Sequence, residues 1–93
     1  MKIYRGSFVK DNGKVRTMFF AKLKDIEDAK PGFLNAKTTG TGTSPTQETY
    51  KELVWELLVV RGNLSGEGQF RVFNYNTVQG EISASEFDEN NLV

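Results

Sequence analysis

The chain has no cysteine and no histidine among its 93 residues. These absences remove disulfides, thiolate chemistry, the usual zinc ligand sets and histidine acid–base catalysis. A short chain without a disulfide folds on packing alone, which suits a reducing cytoplasm. No apolar run approaches the roughly 20 residues that span a bilayer, and the opening Met-Lys-Ile-Tyr-Arg-Gly lacks the apolar stretch of a signal peptide. The expectation is a soluble cytoplasmic protein with no cofactor, no metal and no membrane partner. Net charge is lacking too. Twelve Lys and Arg balance twelve Asp and Glu, so the overall balance carries no nucleic-acid signal.

The charges are unevenly placed. Residues 1–24 hold Lys2, Arg5, Lys10, Lys14, Arg16, Lys22 and Lys24 against Asp11 alone, whereas residues 79–93 hold Glu81, Glu86, Asp88 and Glu89 and no base. Such asymmetry marks either an anion-binding face or an acidic end that lies against the basic hairpin inside the fold.

The length fits one domain with one small core. Residues 3–9 and 15–23 are rich in β-branched and aromatic side chains and flank Asp11-Asn12-Gly13. Asn-Gly tolerates the positive φ of a tight turn, so this is a hairpin. Along its first strand Ile3, Arg5, Ser7 and Val9 share one face, and Tyr4, Gly6, Phe8 and Lys10 the other. Gly6 inside the strand predicts a bulge or a close backbone approach, and with it strong curvature. Residues 24–29 can form a short helical turn that Pro31-Gly32 ends. Residues 35–48 are Thr- and Gly-rich with almost no apolar groups, and read as an exposed loop. Their Gly-Thr-Gly-Thr-Ser lacks the lysine of a phosphate loop.

Residues 50–60 are ambiguous. A capping-box pattern from Thr49 to Glu52, with Leu53, Val54, Leu57 and Leu58 as a stripe, allows a helix. Alternation of Leu53, Trp55, Leu57 and Val59, and a Val-rich end leading into Arg61-Gly62-Asn63, favours a central strand. Residues 62–68 read as a loose hairpin connection to a strand over 70–78. Gln79-Gly80 then turns into a last strand over 81–85. Five short strands joined mostly by turns make an all-β chain, a small antiparallel barrel with at most one short helical turn. The domain runs over 1–87 with Phe87 as an anchor. An acidic tail over 88–93 follows, with Leu92-Val93 frayed.

Catalysis has little support. Glu52 and Glu56 share a face in either reading, but along a strand they lie about 13 Å apart at roughly 3.3 Å per residue. They read as two solvated carboxylates, and the chain as no enzyme. Binding is better supported, because small open barrels hold single strands on surface aromatics beside a basic track. Tyr4, Phe8, Tyr75 and Trp55 are candidate platforms, and Arg5, Lys14, Arg16 and Arg71 candidate phosphate contacts. The ligand-binding set with most support is Arg5, Lys14, Arg16, Arg71, Tyr4 and Tyr75. The competing readings are structural. Phe70, Val72, Phe73, Phe19 and Trp55 can fill the core, and Arg71 can form a cross-strand pair with a Glu. Asn74 and Asn76 alternate away from Arg71, Phe73 and Tyr75. A rival function is protein interaction, through strand pairing at an exposed edge.

Three segments in order carry a family likeness: Tyr4-Arg5-Gly6-Ser7-Phe8-Val9-Lys10 with Asp11-Asn12-Gly13, then Glu52-Leu53-Val54-Trp55-Glu56, then Phe70-Arg71-Val72-Phe73-Asn74-Tyr75-Asn76-Thr77-Val78. The chain resembles the small bacteriophage proteins described as SH3-like β-barrels related to the WYL domain. The resemblance implies an SH3-like barrel, a phage origin and location in the host cytoplasm. Its implied partners are a nucleic acid or nucleotide, or a host protein that is bound and modulated. WYL domains carry a basic strand of the form Tyr-Arg-x-Phe-Arg-x-Asp-Arg-Ile. Arg71 and Phe73 match it, while Asn74, Asn76 and Thr77 stand in place of its second Arg, its Asp and its third Arg. The resemblance therefore assigns a ligand contact to Arg71 alone.

Overall fold

Alternating β-branched and aromatic residues build five antiparallel strands in a computed structural model that describes residues 1–37 and 50–93. β1 (Lys2–Val9) and β2 (Val15–Lys22) form the expected hairpin, with Tyr4 opposite Phe20 and Phe8 opposite Arg16. β3 (Lys51–Val60) resolves the ambiguous segment as a central strand between β2 and β4. Its apolar groups are used on both sides, Trp55 and Leu57 in one cluster and Val54 in another, which one helical stripe cannot do. β4 (Asn63–Asn74) and β5 (Val78–Glu86) complete the order β4-β3-β2-β1-β5.

Several sequence expectations are corrected here. The β3–β4 connection is a tight turn at Arg61-Gly62, both at positive φ, with Val60 paired to Asn63, and not a loose loop over 62–68. The strand expected over 70–78 stops at Asn74. There the Asn74 side chain accepts from the Asn76 backbone N–H and opens a 3-10 turn, Tyr75–Thr77. Asx capping of this kind competes with the ladder and ends it. β5 accordingly begins at Val78, with Gly80 inside it. The expected helical turn is α1 (Leu23–Ala29), and a second helix, α2 (Phe33–Lys37), follows Pro31-Gly32. Residues 35–37 of the expected loop belong to α2; its remainder, with Thr49 of the capping box, lies outside the described residues.

One small core was expected, and two clusters form, one on each face of the sheet. On the first face Ile3, Ala21, Trp55 and Leu57 pack against Ile26 of α1, Phe33 of α2 and Leu92. On the second, Phe8, Met18, Phe20, Val54 and Phe73 pack with Tyr4, Tyr75, Val78 and Ile82. Trp55 and Phe73 are buried as expected, whereas Val72 is 49% exposed and is not a core residue. Gly6 meets both of its predictions. The β1–β5 register shifts between Arg5 and Ser7, and a Cβ on Gly6 would lie 2.8 Å from Phe73 Cζ. β1 and β4 are three places apart in the order, so this contact requires the sheet to roll around its second face. The 3-10 turn spans the two edge strands, and Thr77 ties it to Val9 through both backbone groups. The rolled sheet is not closed, since β4 and β5 remain its edges.

The C-terminal end is also corrected, because Leu92 is buried rather than frayed. The Val93 N–H donates to the Gly66 carbonyl and Lys30 Nζ to the Leu92 carbonyl. The acidic end lies on the first face and meets the Met1 ammonium, which donates to the Phe87 carbonyl at 3.0 Å and pairs with Glu86 and Glu89 at 3.4 and 3.3 Å. Burial works to lower the ammonium pKa, but the hydrogen bonds and charges of Glu89 and Glu86 outweigh it, leaving it raised. The Glu89 carboxyl is held below its ordinary value by its own backbone N–H and then by that ammonium.

Candidate functional site

Rolling the sheet leaves a gap on its second face, between the tip of the β1–β2 hairpin and the ends of β3 and β4. The gap is a groove of about 730 Å³ whose walls include Lys10, Arg16, Lys51 and Arg71, with Asp11 as the acidic lining residue. Asn12 on the hairpin and Asn74 at the end of β4 add amides, and Phe8 and Met18 form an apolar floor. A volume of this order suits a nucleotide-sized ligand.

Glu56 organises the charge. It is a buried carboxylate, 7% exposed. Arg16 Nη2 donates to both of its oxygens, at 2.5 and 2.6 Å. Arg71 Nε lies 3.7 Å from Glu56 Oε1, so both guanidiniums gather on one oxygen. The placement follows from strand register. Glu56 stands on the same face of β3 as Val54, opposite Gln69 of β4 and diagonal to Arg71, while Arg16 reaches along β2 past Met18. The cross-strand pairing considered for Arg71 is thus present. The reading of Glu56 as solvated is overturned, since curvature carries it into the interior.

Glu52, on the same face, accepts from the Tyr75 hydroxyl at 2.6 Å and lies 4.0 Å from Lys22 Nζ. Burial, then the hydrogen bond to Glu52 and its charge, push the Tyr75 phenol pKa well above its ordinary value. Glu52 is therefore not a freely solvated carboxylate either.

The six predicted ligand residues separate into four places. Arg16 and Arg71 meet in the groove. Tyr4 and Tyr75 are half-buried in the second cluster. Tyr4 stacks on Phe20 at 5.6 Å and Tyr75 meets Phe73 edge-on at 4.9 Å, and neither lines the groove. Arg5 stands on the opposite face, its guanidinium 5.9 Å from the Phe19 ring centre. Lys14 is exposed in the hairpin turn outside the groove. Of the two arrangements weighed from sequence, residues 1–24 do not form one basic face, whereas the acidic end does lie against β1 of the hairpin, with Glu86 opposite Lys2 and Glu86 and Glu89 on the Met1 ammonium, away from the groove.

Sequence reasoning missed Lys10 and Lys51. Alternation already placed Lys10 beside Phe8, so its signal was available. Lys51 becomes visible only once residues 51–60 are assigned as a strand. Asn74 shares the groove with Arg71 despite alternating away from it, because β4 is an edge strand and the chain turns at Asn74. No helix of the described residues is long and apolar enough to cross a membrane. No family model, no curated protein and no solved structure matches the chain.

Proposed function

We propose that this chain is a non-enzymatic binding module for a phosphate-bearing ligand, a nucleic acid or nucleotide, seated in the groove between the hairpin tip and β3–β4. The observation that carries this is the collection of Lys10, Arg16, Lys51 and Arg71 around one concave site. Among the described residues, Asp11 in the lining and the buried Glu56 are the acids set against Lys10, Arg16 and Arg71, so the site remains attractive to anions although the whole chain is neutral. Arginine forks suit phosphate oxygens, and the two asparagines supply neutral hydrogen bonds. Among the described residues that line the groove no aromatic ring is exposed, Phe8 being buried, so phosphate contacts rather than base stacking supply the affinity. The roll of the sheet and the 3-10 turn between its edge strands favour the finer reading of an SH3-like barrel, while a relation to the phage family rests on the sequence resemblance alone.

The test is fluorescence anisotropy with a labelled single-stranded oligothymidylate, repeated with a nucleoside triphosphate as competitor. Three or four phosphate contacts give a logarithmic salt slope of about −2 to −3, hence about 20- to 50-fold weaker binding from about 50 to 200 mM salt. Competition by the triphosphate identifies a nucleotide-sized site, and its failure a strand that needs several phosphates. Absence of binding at low salt rejects the proposal.

A protein partner is the second reading, favoured by β5. It is an edge strand with Ser83, Ala84 and Ser85 exposed, whereas β4 at the other edge receives the Val93 N–H. One stoichiometric host protein recovered without nucleic acid or nucleotide supports that reading over the first.

A further inference from the structure

Resting on that reading, we propose that Glu56 is a positioning residue: it gathers Arg16 and Arg71 into a phosphate clamp, so removing its negative charge weakens phosphate binding. Bulk electrostatics predicts the opposite sign, since a carboxylate beneath an anion site repels the ligand. The geometry decides between them. Arg16 Nη2 and Arg71 Nε both lie within 4 Å of Glu56 Oε1. Two guanidiniums brought this close repel unless an anion sits between them, and Glu56 is that anion before any ligand arrives.

The pair is held from below and left open above. The Arg16 and Arg71 side chains keep 34% and 46% of their exposure, against 10% for Glu56. Arg16 spends Nη2 on the carboxylate, and among the described residues its Nε and Nη1 carry no hydrogen bond. Arg71 spends Nη1 on the Phe70 carbonyl at 3.1 Å, and its Nη2 carries none. These unspent donors belong to side chains that line the groove with Lys10 and Lys51. A phosphate placed there meets an arginine pair whose rotamer entropy has already been lost in folding. Without Glu56 the two side chains separate, and the ligand must reassemble them.

The experiment compares wild type, Glu56→Gln and Arg16→Lys by anisotropy with the same oligothymidylate at about 50 mM salt. Losing one ordered arginine contact predicts about 10-fold weaker binding for Glu56→Gln, despite its extra net positive charge. It also predicts a salt slope shallower by about 0.7 for the lost contact. Arg16→Lys keeps the charge but not the fork, and is expected to weaken as well. Equal or tighter binding by Glu56→Gln overturns the inference and leaves the groove reading standing, whereas no binding by wild type overturns both. If Glu56→Gln does not fold by circular dichroism, nitrogen-15 spectra of the wild-type arginine side chains decide. The Arg16 and Arg71 Nε–H signals shift on adding the oligonucleotide if the clamp is used, and unmoved signals overturn it.

Discussion

Tyr75 and Glu56 are both sites where a side chain read as available from the sequence is committed to a neighbour. Tyr75 alternates with Phe73 and Arg71, but the 3-10 turn rotates its ring onto Phe73 and its hydroxyl onto Glu52. The result is a phenol whose neutral form is favoured by burial and by a short bond to a carboxylate. A raised folded-state pKa contributes stability that is fully present below the ordinary value of about 10 and is lost as pH rises through the raised one. Tyr75→Phe removes the titrating group and one hydrogen bond, costing about 1–2 kcal/mol at neutral pH. Denaturant midpoints measured from about pH 7 to 11 should therefore differ between wild type and variant below about pH 10 and converge as pH rises further. A constant difference across that range contradicts the assignment.

At the scale of elements, the strand assignments were legible where both apolar periodicity and turn chemistry agreed. Asp11-Asn12-Gly13 and the alternation around it specify the first hairpin, and Gly6 announced the bulge that lets Phe73 approach β1. The β3–β4 turn was harder to read because Arg61, at φ 53, occupies a position that asparagine or glycine normally fills. An arginine there bears the cost of the left-handed region, which asparagine tolerates. Arg61→Asn should stabilise the protein by about 0.5–1 kcal/mol, read as a higher urea midpoint with an unchanged slope. No change, or a loss, indicates that Arg61 makes a compensating contact. The end of β4 was illegible for a different reason. Asn74 is compatible with a strand by pattern, and its cap on Asn76 forms only once the chain turns toward the opposite edge. The buried end of the chain was missed because a Leu-Val pair after a polar run has no periodicity, and only packing in the cluster that holds Trp55 and Phe33 makes Leu92 a core residue.

For the whole molecule, the determining event is the roll of the sheet, which no local pattern contains. It converts Glu56 from a surface carboxylate into a buried counter-ion, and brings Lys10 of the hairpin to the same groove as Lys51 and Arg71. Strand alternation divides the basic residues of 1–24 between faces, so Arg5 cannot act with Arg16. The sequence supplied two members of the groove, Arg16 and Arg71, through charge and strand assignment. Alternation alone sets Arg5 on the face opposite Lys10, whereas Lys14, Tyr4 and Tyr75 could not be rejected without the turns and the curvature. Overall neutrality hid the site, because the acidic residues near the chain end are used on the first face, against Met1. The most direct measurement is oligothymidylate affinity at about 50 mM salt for Lys10→Glu and Arg5→Glu, two variants with the same change in net charge. Placing the ligand in the groove predicts a loss of about 10-fold or more for Lys10→Glu, and a change within about 2-fold for Arg5→Glu. Equal losses in the two variants, or the larger loss in Arg5→Glu, contradict the groove as the binding site.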